Sequence, residues 1–152
     1  MDLRTGWDFS LPKHREACDK LLDRKKPWFV IGAPICGPFG ALQSLRPDTP
    51  ESTEAYRVKL QEAYEHLAFC CHLYRKQHTA GRKFLHEHPK GAWSWKLKIM
   101  LEMQELDGVQ LVHGDQCPYG HVAKGDDGEW GLVQKATSWL TNDEFVAVAV
   151  GR

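Results

Sequence analysis

The 152-residue chain is 42% hydrophobic and 26% charged, and its 20 basic residues balance 20 acidic ones. That length and composition exclude a disordered chain and support one domain with its own core, while zero net charge leaves no overall field to steer a polyanion. No apolar run of 18 residues occurs and no charged stretch followed by an apolar run opens the chain, so neither membrane insertion nor secretion is supported and an intracellular location, cytoplasm or nucleus, is expected.

In chain order, the first periodic segment is a helix with Pro12 at its first position and Ser10 as the candidate cap. It runs to about Arg24 and is ended by Lys25-Lys26-Pro27. The run Trp28 to Ile31 predicts a buried strand, which passes into the turn Gly32-Ala33-Pro34-Ile35-Cys36-Gly37-Pro38-Phe39. After a polar loop, Ser44 to Pro50, comes a long helix. Its apolar positions Tyr56, Leu60, Ala63, Leu67, Cys70 and Tyr74 recur at spacings of 4, 3, 4, 3 and 4, and Gly81 closes it. Lys83 to His86 predicts a short strand, Ser94 to Leu106 a helix stopped by Asp107-Gly108, and Val109 to His113 another strand. Thr137 to Leu140 and Phe145 to Val150 complete the set as strands, the last too apolar on both faces for an exposed edge. Strands separated by helices predict an α/β fold with a mostly parallel sheet and right-handed crossovers.

Three segments carry candidate chemistry, each at the end of a predicted strand. They are the Cys36 turn, Leu85-His86-Glu87-His88-Pro89, and Asp115-Gln116-Cys117-Pro118-Tyr119-Gly120. In an open α/β sheet, ligands bind in the crevice outside the carboxyl ends of the strands, so a thiol at the tip of the first turn faces a ligand site. The five cysteines are an odd number in a chain large enough to do without staples, so reduced thiols are expected. Cys70 and Cys71 point about 100° apart on one helix and are read as core, and Cys117 as part of a turn with Pro118 and Gly120. Lys90, Trp93, Trp95, Lys96 and Lys98 alternate charge with indole. That composition suits stacking and phosphate contact, and equally a solvated helix start with Trp93 packed on the sheet.

These residues resemble the DNA cytosine-5 methyltransferases, in particular the divergent methyltransferase-like sequences of phages and mobile elements. The family's nucleophile motif, Gly-Gly-Pro-Pro-Cys-Gln-Gly-Phe-Ser, is similar to Gly32-Ala33-Pro34-Ile35-Cys36-Gly37-Pro38-Phe39-Gly40 at the first Gly, the first Pro, the Cys and the Phe. Glu87-His88-Pro89 sits where the family has Glu-Asn-Val, and Met1-Asp2-Leu3 where it has Gly-Asp-Ile. Cys117-Pro118-Tyr119-Gly120, Gln134-Lys135-Ala136-Thr137 and Thr141-Asn142 resemble the Cys-x-Tyr-Gly, Lys-Pro-Thr and Thr-Asn stretch of the divergent members.

The resemblance implies a three-layer, Rossmann-like methyltransferase sheet. Cys36 would be the thiolate that adds to C6 of a cytosine, Glu87 the group that supplies a proton or hydrogen bond at N3, and S-adenosylmethionine the methyl donor. It further implies cofactor contacts at Asp2, Gly32 and Pro34, base or DNA contacts at Phe39, His88 and Lys135, and a base flipped out of the duplex. The family's glycine-rich first strand, Asp-Leu-Phe-x-Gly-x-Gly, has no counterpart, and neither has its Gln-x-Arg-x-Arg motif. The sheet is therefore expected to be incomplete at its N-terminal side, the chain to be a catalytic-fold fragment or a decayed copy, and the open edge to invite a homodimer or a complementing chain.

Three other functions stand beside this one. A non-catalytic nucleic-acid or protein interaction module could keep the same fold. A metal site could start from His86 and His88, which share a strand face, with His113 or Cys117, although no Cys-x-x-Cys or His-Glu-x-x-His occurs. A thiol hydrolase could pair Cys36 with His86 or His113, with Asp115 as the orienting acid.

Overall fold

The computed structural model describes residues 3–120 and 122–151. Helix α1 (Pro12–Lys25) starts at Pro12, whose fixed φ suits the first turn. Ser10 is not its cap. Leu11 holds that position, and Ser10 donates its hydroxyl to the Asp8 carboxylate at 2.6 Å instead. Strand β1 (Phe29–Gly32) runs into the Cys36 turn. Helix α2 (Pro50–Thr79) is capped by Thr49, whose hydroxyl accepts from the Ser52 N–H at 3.1 Å, and it buries Ala63, Leu67, Cys70 and Tyr74 along the predicted stripe. Gly81, at φ 67°, takes the left-handed conformation that turns the chain into β2 (Lys83–Pro89).

The helix expected from Ser94 is shorter and broken at its start. Trp93–Lys96 form a 3-10 turn, Leu97 is extended, and α3 covers Lys98–Gln104. The Trp95 indole donates to the Pro89 carbonyl at 2.9 Å and the Gln104 amide to the Trp95 carbonyl at 3.1 Å, so tertiary bonds hold that first turn against the end of β2. Then follow β3 (Gln110–Asp115), a separate hairpin of β4 (Val122–Lys124) and β5 (Trp130–Leu132), β6 (Ala136–Thr141) and α4 (Glu144–Val150).

The main sheet has the order β1-β2-β6-β3. Strands β1 and β2 pair in parallel, whereas β6 runs antiparallel to both β2 and β3. The expectation of a mostly parallel sheet is thus corrected to a mixed one. The cause is the connection from β3 to β6, which contains a hairpin and no crossover helix, and so returns the chain antiparallel beside the strand it left. Because β2 and β3 are both antiparallel to β6, strands β1, β2 and β3 still point the same way, and their carboxyl ends share one sheet edge.

Two further expectations change. Phe145 to Val150 lies in α4, not in a strand: the Asp143 side chain accepts from the Val146 N–H at 3.0 Å, and Ala147 is buried while Phe145 and Val148 are exposed. A short apolar run fits a strand and a helix turn equally by periodicity, and the cap decides. Strand β1 is an edge and not buried, with Trp28 66% and Ile31 67% exposed.

Strand alternation divides the sheet into two unlike faces. Phe84, His86, His88, Leu140 and Leu111 face α2 and α3, where Tyr74, Met100 and Met103 complete the core. Leu85, Glu87, Trp139 and Val112 face the other way, where Gly151 at the end of α4 comes close to Val112. Among the described residues no helix is long and apolar enough to cross a membrane.

Candidate functional site

The edge formed by the ends of β1, β2 and β3 gathers most of the residues singled out above. The Cys36 turn leaves β1 at Gly32, which pairs with His86, so the turn begins alongside Glu87 and His88. The turn is fastened at three carbonyls. His88 Nε2 lies 3.3 Å from the Pro34 oxygen, the Gln43 amide donates to the Gly37 oxygen at 3.1 Å, and the Tyr56 hydroxyl donates to the Pro38 oxygen at 3.2 Å. Phe39 N–H closes a 3-10 turn onto the Cys36 carbonyl at 3.0 Å. The Phe39 ring is fully buried, edge-on to Trp93 at 5.0 Å and tilted against His88 at 5.9 Å. Cys36 itself is half-buried and carries a free thiol.

His88 is fully buried and uses both ring nitrogens. A carbonyl can only accept, so Nε2 carries the hydrogen that bonds Pro34, and Nδ1 accepts from the Ser94 hydroxyl at 2.8 Å. Burial lowers its pKa from 6.5 to about 4, outweighing the opposing pull of the Pro34 hydrogen bond and the Glu87 charge, so the ring is neutral at neutral pH. His86, expected to share a face with His88, lies beside it with ring centroids 4.7 Å apart. It is wholly buried, its Nδ1 hydrogen-bonds Tyr74 Oη at 3.1 Å, and among the described residues its Nε2 finds no partner. Burial first, and the neighbouring His88 second, push its pKa well below the ordinary histidine value.

Glu87 points to the opposite face. Its Oε1 accepts from Lys135 Nζ at 3.1 Å and from the Gln116 amide at 3.3 Å, and that same amide reaches the Thr137 hydroxyl at 3.1 Å. The structure therefore brings Glu87 and Lys135 together, and Pro34, Phe39 and His88 together, with the sheet between the two groups. Gln116 and Ser94 were missed as site residues. Gln116 stood inside a segment already noted after a strand, whereas Ser94 looked like an ordinary helix start.

Gly32 lines a cavity of about 720 Å³ between β1, α1 and α2, walled by Trp7, Phe9, Phe69, Tyr74 and Ile35, with Asp8 and His66 among its polar groups. A Cβ at Gly32 would overlap the Tyr74 hydroxyl and lie 3.0 Å from its Cζ, so the absent side chain makes room for Tyr74. Pro34, within the turn, is buried. Asp2 lies outside the described residues. Of the Lys90 to Lys98 stretch, Trp95 is buried and Trp93 is 38% exposed, with Lys90, Lys96 and Lys98 in solvent. Cys70 and Cys71 are core thiols raised by burial to about 12, and Cys117 starts a 3-10 turn closed by Gly120 at φ 76°. Among the described residues no group of three or more His, Cys, Asp or Glu side chains is arranged to hold a metal ion. No protein-family model, no curated protein and no solved structure matches the chain.

Proposed function

We propose that the chain is a DNA cytosine-5 methyltransferase-like catalytic half built on a Rossmann-like methyltransferase sheet. The observation that carries this reading is the side-by-side ending of parallel strands β1 and β2, which puts the rigid Cys36 turn and the Glu87-His88 pair at one sheet edge. Cys36 is the one thiol in that turn. It would add to C6 of a flipped cytosine, and the electron density displaced to C5 makes that carbon a nucleophile. Glu87, 14% exposed and held by Lys135 and Gln116 on the opposite sheet face, would meet the base at the strand ends and share a proton with N3, which as a lone-pair acceptor needs a protonated carboxyl.

S-adenosylmethionine is the methyl donor in this reading. The 720 Å³ cavity beside Gly32 and Ile35 has the size and aromatic walls to hold its adenosine half, with Asp8 and Ser10 as polar partners at hand. Lys135 and the exposed lysines Lys90, Lys96 and Lys98 would meet DNA phosphates. The side of β1 that has no neighbour among the described strands would take a strand from a second copy or a complementing chain.

A second reading, a non-catalytic interaction module with this fold, is favoured by the engagement of Glu87 in an ion pair and a hydrogen bond within the protein. One experiment separates the two: calorimetric titration of S-adenosylmethionine into the purified chain, in parallel with trapping on an oligonucleotide carrying 5-fluorocytosine, with Cys36→Ala as control. Heat of binding together with a Cys36-dependent covalent adduct is the catalytic outcome. Absence of both leaves the interaction module.

A further inference from the structure

We propose that His88 is a positioning residue for Cys36: its buried imidazole ties the carbonyl of Pro34 to Ser94 and so sets where the thiol at the tip of the turn is presented. The inference deepens the methyltransferase reading and rests on it for the purpose of the positioning, although the clamp can be measured without it.

Three observations converge on His88. It bridges elements distant in sequence, since Pro34 precedes Cys36 by two residues while Ser94 lies in the 3-10 turn Trp93–Lys96 that follows β2. Its ring also forms part of the wall against which Phe39 packs, so it touches the turn on both sides of the cysteine. Finally, each nitrogen is committed, Nε2 donating and Nδ1 accepting, which fixes the tautomer and the ring plane. The other two fastenings, from Gln43 and Tyr56, act on carbonyls after Cys36. Between the β1–β2 ladder, which ends at Gly32, and Cys36, the Pro34 carbonyl is the one that a side chain fastens among the described residues.

The test uses the full chain with His88→Ala, His88→Gln and Ser94→Ala. Each variant is followed by the rate of Cys36 alkylation with iodoacetamide, read by peptide mass spectrometry. Cys117, also half-buried in a 3-10 turn, serves as the internal reference. The expected result is a change of about tenfold in the Cys36 to Cys117 rate ratio for His88→Ala. His88→Gln, whose amide can still donate to Pro34, returns the ratio to within about twofold of wild type. A wild-type ratio in a folded His88→Ala, or equal acceleration at Cys117, overturns the proposal. If His88→Ala does not fold, Ser94→Ala decides: a shift of about threefold or more supports the clamp and an unchanged ratio sinks it. Adduct formation with the 5-fluorocytosine oligonucleotide is measured on the same samples. A wild-type protein that forms no adduct while its alkylation ratio still follows His88 refutes the methyltransferase reading and leaves the clamp standing.

Discussion

The Cys36 turn and the β4–β5 hairpin both leave the main sheet at its edge, and they are held in opposite ways. The turn has few backbone bonds of its own and borrows rigidity from His88, Gln43, Tyr56 and the buried Phe39 ring. The hairpin is closed by its own bonds, Gly125 N–H to the Glu129 carbonyl at 2.8 Å and Gly128 N–H to the Gly125 carbonyl at 2.9 Å. Its apolar side chains face solvent, with Trp130 70% and Leu132 67% exposed. A two-stranded ribbon with no face to bury is marginal in water, whereas a loop with a buried ring and two donors from distant elements, His88 and Tyr56, is part of the core. Precision in a loop thus comes from what the rest of the fold holds out to it.

The sharpest way to break the contrast is Phe39→Ala, which removes a fully buried ring from the turn. It is expected to cost about 3–5 kcal/mol in urea unfolding. An effect below about 1 kcal/mol would show that the turn is not integral to the core. Next in size is Gly32→Ala, whose methyl group would displace the Tyr74 hydroxyl and is expected to destabilise by about 1–3 kcal/mol. Tyr74→Phe removes that hydroxyl, so the same glycine change in a Tyr74→Phe background should cost markedly less, and additivity of the two changes would refute the contact.

The pH dependence follows from the two buried histidines. Both have pKa values depressed in the folded state, His88 to about 4, so the unfolded chain binds protons that the folded one does not as pH falls below 6.5. Their contribution is fully present above pH 6.5 and is lost as pH falls through the folded-state values, a window that for His88 spans 6.5 to about 4. The melting temperature should drop across that window, and His88→Gln should flatten the slope. The smallest effect belongs to the hairpin: Trp130→Ser should change stability by no more than about 0.5 kcal/mol, and limited proteolysis should cut near Gly128 before it cuts near Cys36. First cleavage in the turn would reverse the comparison.

Much of the architecture was legible in the residues themselves. Pro12 and the Lys25-Lys26-Pro27 stop bounded α1, the 3-4 spacing of Ala63, Leu67, Cys70 and Tyr74 set the buried stripe of α2, and the first three strands lay within a few residues of their observed ends. These are local matters of φ restriction, capping and periodicity, which a sequence states directly. The resemblance placed Cys36, Glu87 and His88 in segments that the fold does bring to one edge. It was silent on the sheet face each would occupy. Alternation along β2 sends Glu87 to Lys135 and Gln116, and His88 to Pro34 and Ser94.

What only the tertiary structure decided were the relations that depend on partners distant in the chain. The reversal of β6 came from a connection without a crossover helix, and the helical state of Glu144 to Val150 from a cap at Asp143. The edge position of β1 came from the absence of a second neighbour among the described strands. Hydrophobic pattern tells a residue that it will be covered; which group covers it, and from which side, is settled when the elements pack, because one apolar run can satisfy several pairings and only the assembled hydrogen bonds choose among them.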